Sequence, residues 1–152
     1  MPEQKTLKRV KKDKREGKAS STQAGEFIRE EMHHIREGVH GARSTKQAIA
    51  IGLSKARRAG VDLPPPEKGT VSEKTRKSAQ RAYEEGQRHP QKKPSPKRSR
   101  ATLQALQREG HRAASHEALS RQAHRSAQRR SNTARSAAAR KAARTRAKHR
   151  RS

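Results

Sequence analysis

Residues 43–64 read RSTKQAIAIGLSKARRAGVDLP. The run gathers isoleucine, leucine, valine and alanine between flanks that are far more polar, and whether it is strand or helix decides the fold. Ala48 to Leu53 is an unbroken apolar segment of the kind a buried strand also offers. The helical reading is better, because Ala48, Ile49, Gly52, Leu53 and Ala56 share one helical face and the flanking KQ and SKARRA are helix formers. Ser44 with Gln47 has capping-box spacing, and Gly60 before Val61 ends the element. Gly52 inside a helix costs about 1 kcal/mol relative to alanine. Close approach of a facing helix would offset that cost.

The facing helix is the preceding stretch, SSTQAGEFIREEMHHIREGVHG, which puts Ala24, Phe27, Ile28, Met32 and Ile35 on one face. Ser20 with Gln23 offers a capping box and Gly38 a stop. Together the two elements predict a small antiparallel helical hairpin, roughly residues 21–61, closed by the short GVHGAR link. About 40 residues is the limit of independent stability, so a homodimer or a protein partner gripped by the hairpin stays open.

The 152-residue chain carries 40 Lys and Arg against 14 Asp and Glu, a formal net charge of +26, with 27% hydrophobic residues and no aromatic side chain besides Phe27 and Tyr83. A chain this charged repels itself and lines no enzyme-sized apolar pocket. The fold class expected is therefore mostly α with extensive disorder: the hairpin plus an Arg/Ala-rich tail that is helix-prone. Residues 1–19 read as a basic disordered arm, 20–62 as the hairpin, 63–70 (around Pro64-Pro65-Pro66) as a Pro-rich linker and 71–86 as a short helix that docks loosely. Residues 87–98 read as a basic Pro-rich linker, and 99–152 as the nucleic-acid-binding tail.

Absent cysteine removes disulfides and thiolate metal sites. No apolar run approaches the roughly 18 residues of a membrane span, so the expectation is a cytoplasmic protein without a membrane partner. His33, His34 and His40, like His116 and His124, invite a metal reading. No carboxylate or cysteine is read beside them at ligand spacing, so no metal and no cofactor is expected. Nor is an enzyme: Glu30 and Glu31 are adjacent and cannot face each other across a cleft, and P-loops, nucleophile elbows and dinucleotide motifs are missing.

Residues 87–152 hold 20 Lys and Arg against Glu109 and Glu117, net +18, while residues 1–86 carry only +8. From Ser99 onward Arg outnumbers Lys by 13 to 2, which favours forked contacts to phosphate. Arg121, Arg125 and Arg129 recur every four residues, as do Arg140 and Arg144, so a free helix would stack like charges that a polyanion relieves. The tail lacks the aromatics on which single-strand readers stack bases, so duplex DNA is favoured over RNA. The candidate nucleic-acid contacts are Lys97, Arg98, Arg121, Arg125, Arg129, Arg130, Arg135, Arg140, Lys141, Arg144, Arg146, Lys148, Arg150 and Arg151. Lys46, Lys55, Arg57 and Arg58 are secondary candidates, which a helix-turn-helix using 44–60 as recognition helix would aim at DNA. The six-residue GVHGAR link is longer than that motif's usual turn, so a packing hairpin with a basic outer face is preferred.

Ser95-Pro96-Lys97-Arg98 resembles the Ser-Pro-basic-basic motif of histone tails, and the Ala/Arg/Ser-rich end resembles linker-histone-like tails. Ser44 to Gly60, STKQAIAIGLSKARRAG, resembles the core of a family of small, basic, uncharacterised bacterial proteins classed as a domain of unknown function; the resemblance implies a bacterial, cytoplasmic protein and brings no catalytic residues. The function expected is non-specific nucleic-acid binding by a nucleoid-associated or DNA-compacting protein. Its rivals are a protein-interaction module using the 21–61 hairpin and an RNA- or ribosome-associated factor.

Overall fold

A computed structural model of the chain describes residues 2–88 and 95–150. Among them are seven α-helices, one 3-10 turn and no β-strand. The helices are α1 (Gln4–Arg15), α2 (Ser20–Arg36), α3 (Thr45–Arg58), α4 (Glu73–Arg88), α5 (Pro96–Gln107), α6 (His116–Gln128) and α7 (Asn132–His149), with the 3-10 turn at Arg112–Ala114. Two units divide the chain, Met1–Ser115 and His116–Ser152.

Helices α2 and α3 pack antiparallel through small residues. Ala24, Ala48 and Ala56 are fully covered, and a Cβ on Gly52 would stand 2.8 Å from the Cα of Ile28, so the two backbones nearly touch. That contact supplies the reason for a glycine inside α3. Phe27 and Ile35 are wholly buried from the α2 side, while Val61, just past α3, closes the cluster. Ser44 caps α3 as its spacing predicts: its Oγ accepts from the Gln47 N–H at 3.2 Å, and Gln47 Oε1 accepts from the Arg43 N–H at 2.8 Å. Gly60 takes φ +85, and the Val61 N–H reaches back to the Ala56 carbonyl at 3.1 Å. Helix α2 starts differently from expectation. Ala19 is its N-cap, and Gln23 instead donates to the Lys18 carbonyl at 2.8 Å.

The expectation of extensive disorder is overturned, and each segment that carried it has a physical reason. Residues 4–15 form α1 because Leu7 and Val10 meet the hairpin core and Thr6 and Asp13 extend the same buried stripe. Arg9 pairs with Glu26 on α2 at 3.4 Å, and the buried Asp13 is matched by Lys18 at 2.7 Å. Helix α4 does not dock loosely. Ala82 is covered, and Gly86 lies so close to α3 that a Cβ would stand 1.8 Å from the Arg57 carbonyl oxygen. Gly86 sits inside α4, which runs on to Arg88, because the contact requires a residue without a side chain. Tyr83 fastens the same helix by donating its hydroxyl to Asp62 Oδ1 at 2.8 Å.

The tail is not a single piece. Of the expected 87–98 linker, residues 89–94 lie outside the described residues, and 96–98 open α5. From the last turn of α5 onward, residues 106–114 clasp the turn between α2 and α3. Gly41 N–H donates to the Leu106 carbonyl at 2.9 Å and Ala42 N–H to the Gly110 carbonyl at 3.0 Å. Arg36 Nε reaches the Ala114 carbonyl at 2.8 Å, and Thr45 Oγ1 the Ala113 carbonyl at 2.7 Å.

Residues 116–150 form α6 and α7, with no buried residue among those described. Like-charge spacing does not prevent helix here. Each i,i+4 pair costs only a few tenths of a kcal/mol, whereas seven of the eighteen α7 residues are alanine, arginine itself is a good helix former, and Ser131 caps the N-terminus by accepting from the Ala134 N–H at 3.2 Å.

The glycine contacts make a signed prediction. Gly52→Ala gains up to about 1 kcal/mol of helix propensity but meets backbone that cannot move aside, so urea unfolding should show a net loss of about 1–2 kcal/mol. Gly86→Ala should lose more. Gly25→Ala, in α2 with nothing within 4 Å of the added carbon, should gain about 0.5–1 kcal/mol.

A second prediction uses the single tyrosine. Its hydrogen bond to the Asp62 carboxylate raises the phenol's pKa above the ordinary value of 10.0. The stabilisation is therefore complete below the unfolded pKa and is lost as pH rises through the folded one. Phenolate absorbance should titrate above a model tyrosine in the native chain, and Asp62→Asn should bring the midpoint back down.

Candidate nucleic-acid interface

Residues 116–152 carry twelve Lys and Arg against one acid, Glu117. Helix α6 sets Arg121 and Arg125 one turn apart, with Glu117 lying 3.7 Å from Arg121. Arg129 and Arg130 fall in the turn that follows α6 rather than on the helix. Helix α7 is about 27 Å long at 1.5 Å per residue. At 100° per residue Arg140, Lys141, Arg144 and Lys148 gather on one face of it, Arg135 and Arg146 lie on the opposite face, and alanine fills the sectors between. Arg140 and Arg144 share a stripe as expected, and Lys148 and Lys141 lie within one turn of Arg144 on the same face. All are exposed, and Arg150 is the C-cap, so the last turn is cationic where the helix dipole is negative. Arg151 lies outside the described residues.

Lys97 and Arg98 stand exposed in the first turn of α5, in the other unit. The secondary candidates separate into two pairs. Lys46 and Arg58 are exposed on α3. Lys55 and Arg57 face inward, and the recognition-helix placement is corrected for both. Arg57 is 6% exposed, donating to the carbonyls of Leu63 at 3.0 Å and Pro64 at 3.2 Å, and burial holds its pKa below the usual arginine value. It fastens the proline-rich 63–70 segment to α3.

Lys55 bridges two buried acids. Its ammonium donates to Glu30 Oε1 at 3.3 Å and to Glu31 Oε1 in a closer contact. The adjacency of Glu30 and Glu31 did not keep them from converging on one partner. Glu30 Oε2 accepts in turn from the backbone N–H of Glu3 at 3.1 Å, which ties the start of α1 to α2.

A polar cluster that sequence reasoning missed surrounds Glu31. His40, on the α2–α3 turn, brings Nε2 within 3.5 Å of Glu31 Oε2, and His34 brings Nδ1 within 3.9 Å of Oε1. The absence of a carboxylate partner for these histidines is thereby corrected. The signal was Glu31-x-x-His34, which stacks the two side chains one turn apart on a helix. His33 faces outward with Glu37 at 3.3 Å, while His116 and His124 are exposed. Among the described residues no helix is long and apolar enough to cross a membrane.

The fold and its charge define a helical, strongly basic protein. Residues 4–68, less than half of the chain, match a family of unknown function (DUF6496), so α1, the α2–α3 hairpin and the proline-rich segment are what this chain has in common with that family. No curated protein and no solved structure matches the chain.

The placement of Lys55 predicts a stability phenotype. Lys55→Met leaves two buried carboxylates without their ammonium and should cost about 3–5 kcal/mol in chemical denaturation. Lys46→Gln and Arg58→Gln, exposed on the same helix, should change stability little.

Proposed function

We propose that the chain binds nucleic acid without sequence preference, through phosphate contacts made by α6 and α7, and that duplex DNA is the favoured ligand. The observation that supports this reading best is the α6–α7 unit itself: twelve cationic residues against one acid, with no buried residue among the described ones. A helix with cations on two opposed faces and only alanine between them has no large apolar face to pack and keeps its charge available to a polyanion. The arginine bias suits forked contacts to phosphate and insertion into a narrow minor groove. Phe27 is buried in the hairpin and Tyr83 is engaged on α4, so no aromatic platform for single-stranded bases accompanies these helices. In a bacterial cytoplasm this chemistry fits a nucleoid-associated, DNA-compacting protein.

Fluorescence anisotropy with unrelated duplexes at several salt concentrations tests the proposal. Engagement of about 6–10 phosphates should give a log K against log salt slope of about −5 to −9. Replacing Arg140, Lys141, Arg144 and Arg146 together with Gln should weaken all duplexes equally and flatten the slope by roughly 2–4, at about 0.9 per lost phosphate contact. Lys in place of the three Arg should leave the slope and lower affinity. A shallow slope in the native chain, or a strong preference for one duplex, overturns the reading.

A further inference from the structure

The Glu31 cluster has a stereochemistry that a purely structural ion pair does not require. A carbonyl oxygen can only accept a hydrogen bond, so His40 Nδ1, 3.1 Å from the Gly41 carbonyl, carries a proton. By the same reasoning His34 Nε2 donates to the Glu3 carboxylate at 2.8 Å. That hydrogen bond holds the Glu3 carboxyl below its ordinary pKa. In each ring the remaining nitrogen is the one nearer to Glu31, His34 Nδ1 and His40 Nε2, and it is the nitrogen a cation would take. Two imidazole nitrogens and a carboxylate oxygen thus converge, all three within 4.8 Å of one another. Glu31 is fully buried and its Oε2 has no hydrogen-bond partner. A buried acceptor of this kind is completed by an ion or an ordered water. Charge points the same way: Glu30 and Glu31 are two buried carboxylates against the single ammonium of Lys55.

We propose that Glu31, His34 and His40 form a site for one divalent transition-metal cation of the zinc class, ligated by Glu31 Oε2, His34 Nδ1 and His40 Nε2. Two imidazoles and one carboxylate, without thiolate, are borderline donors suited to Zn2+ or Co2+ rather than to Ca2+ or Mg2+. Three protein ligands leave one position for water. The outer hydrogen bonds from His34 to Glu3 and from His40 to Gly41 are the kind that fix ring orientation around bound metal. A tetrahedral centre with bonds of about 2.1 Å sets its donors about 3.4 Å apart, so the cluster closes by a movement on the order of 1 Å. His34, partly exposed, can make that movement. His40 is held by the turn that residues 106–110 clasp, so the site does not depend on ordering a loose loop. The cation would join α1, α2 and the α2–α3 turn at one point.

The test uses the full-length chain after exhaustive chelation, titrated first with Zn2+ while thermal unfolding is followed, then with Co2+ while its visible absorption is followed. One saturable equivalent is expected, with a raised unfolding midpoint and a Co2+ spectrum of low coordination number. His34→Gln and His40→Gln should each weaken binding tenfold or more, and Glu3→Ala, which removes the outer hydrogen bond to His34 and leaves the backbone N–H of residue 3, should weaken it by about tenfold. His33→Gln and His124→Gln should leave it unchanged. Lys55→Gln removes the ammonium that shares Glu31, so it should tighten binding. If a ligand variant fails to fold, the native titration still decides, because an imidazole coordinated at Nδ1 (His34) and another at Nε2 (His40) give distinct ring-nitrogen resonances. Absence of a saturable equivalent in the native chain overturns the proposal, as does binding that survives both His34→Gln and His40→Gln.

Discussion

One ammonium over two carboxylates sets the terms for the first unit. Lys55 reaches from α3 to Glu30 and Glu31 on α2, and Glu30 passes the connection to the backbone of Glu3 before α1. In a chain with 14 acids against 40 basic residues, burying two acids looks wasteful, because each is costly to remove from water. The arrangement is stable only as a set. It also selects one register, since sliding α3 by a residue would carry Lys55 away from both acids and bring a Cβ, in place of Gly52, against the Ile28 backbone.

Around that set, the fold is held by backbone proximity rather than by large side chains. With 27% hydrophobic residues there is little to pack, and the close contacts fall at glycines: Gly52 on Ile28, Gly86 on Arg57 and Gly41 on Glu109. Each brings peptide groups together where leucine would hold them apart. Hydrogen bonds do the rest, with Arg36, Thr45 and Arg57 side chains bound to carbonyls of segments distant in sequence or folded back. Dispersion contacts over many backbone atoms and satisfied polar groups replace the usual apolar interior.

That mode of packing explains what sequence alone could convey. The α2–α3 face, the Ser44 cap and the reason for Gly52 were legible, because apolar period, capping pairs and an oddly placed glycine are local signals. The docking of α1 was not, since Leu7 and Val10 are too few to make a period, and their stripe is completed by Thr6 and Asp13. Helix α4 looked poorly anchored because Ala82 and Gly86 have almost no side chain with which to signal contact. The Glu31 cluster needed a turn residue, His40, whose approach no spacing rule gives. In the basic tail the positions of charge were legible from composition, but their distribution around α7, and the assignment of 106–114 to the other unit, depend on backbone geometry.

The clasp by residues 106–114 has a consequence for how the chain is made. A ribosome releases the chain from its N-terminus, so α1, α2 and α3 emerge long before the segment that accepts the N–H groups of Gly41 and Ala42 and the side chains of Arg36 and Thr45. Until residue 114 is out, those four donors lack the full set of carbonyls they use in the folded chain. The stretch matched by the family, 4–68, is therefore not the stretch whose hydrogen bonding is complete. In this chain the unit of similarity is shorter than the unit of folding, and the last stitch of the N-terminal structure is sewn from the C-terminal half.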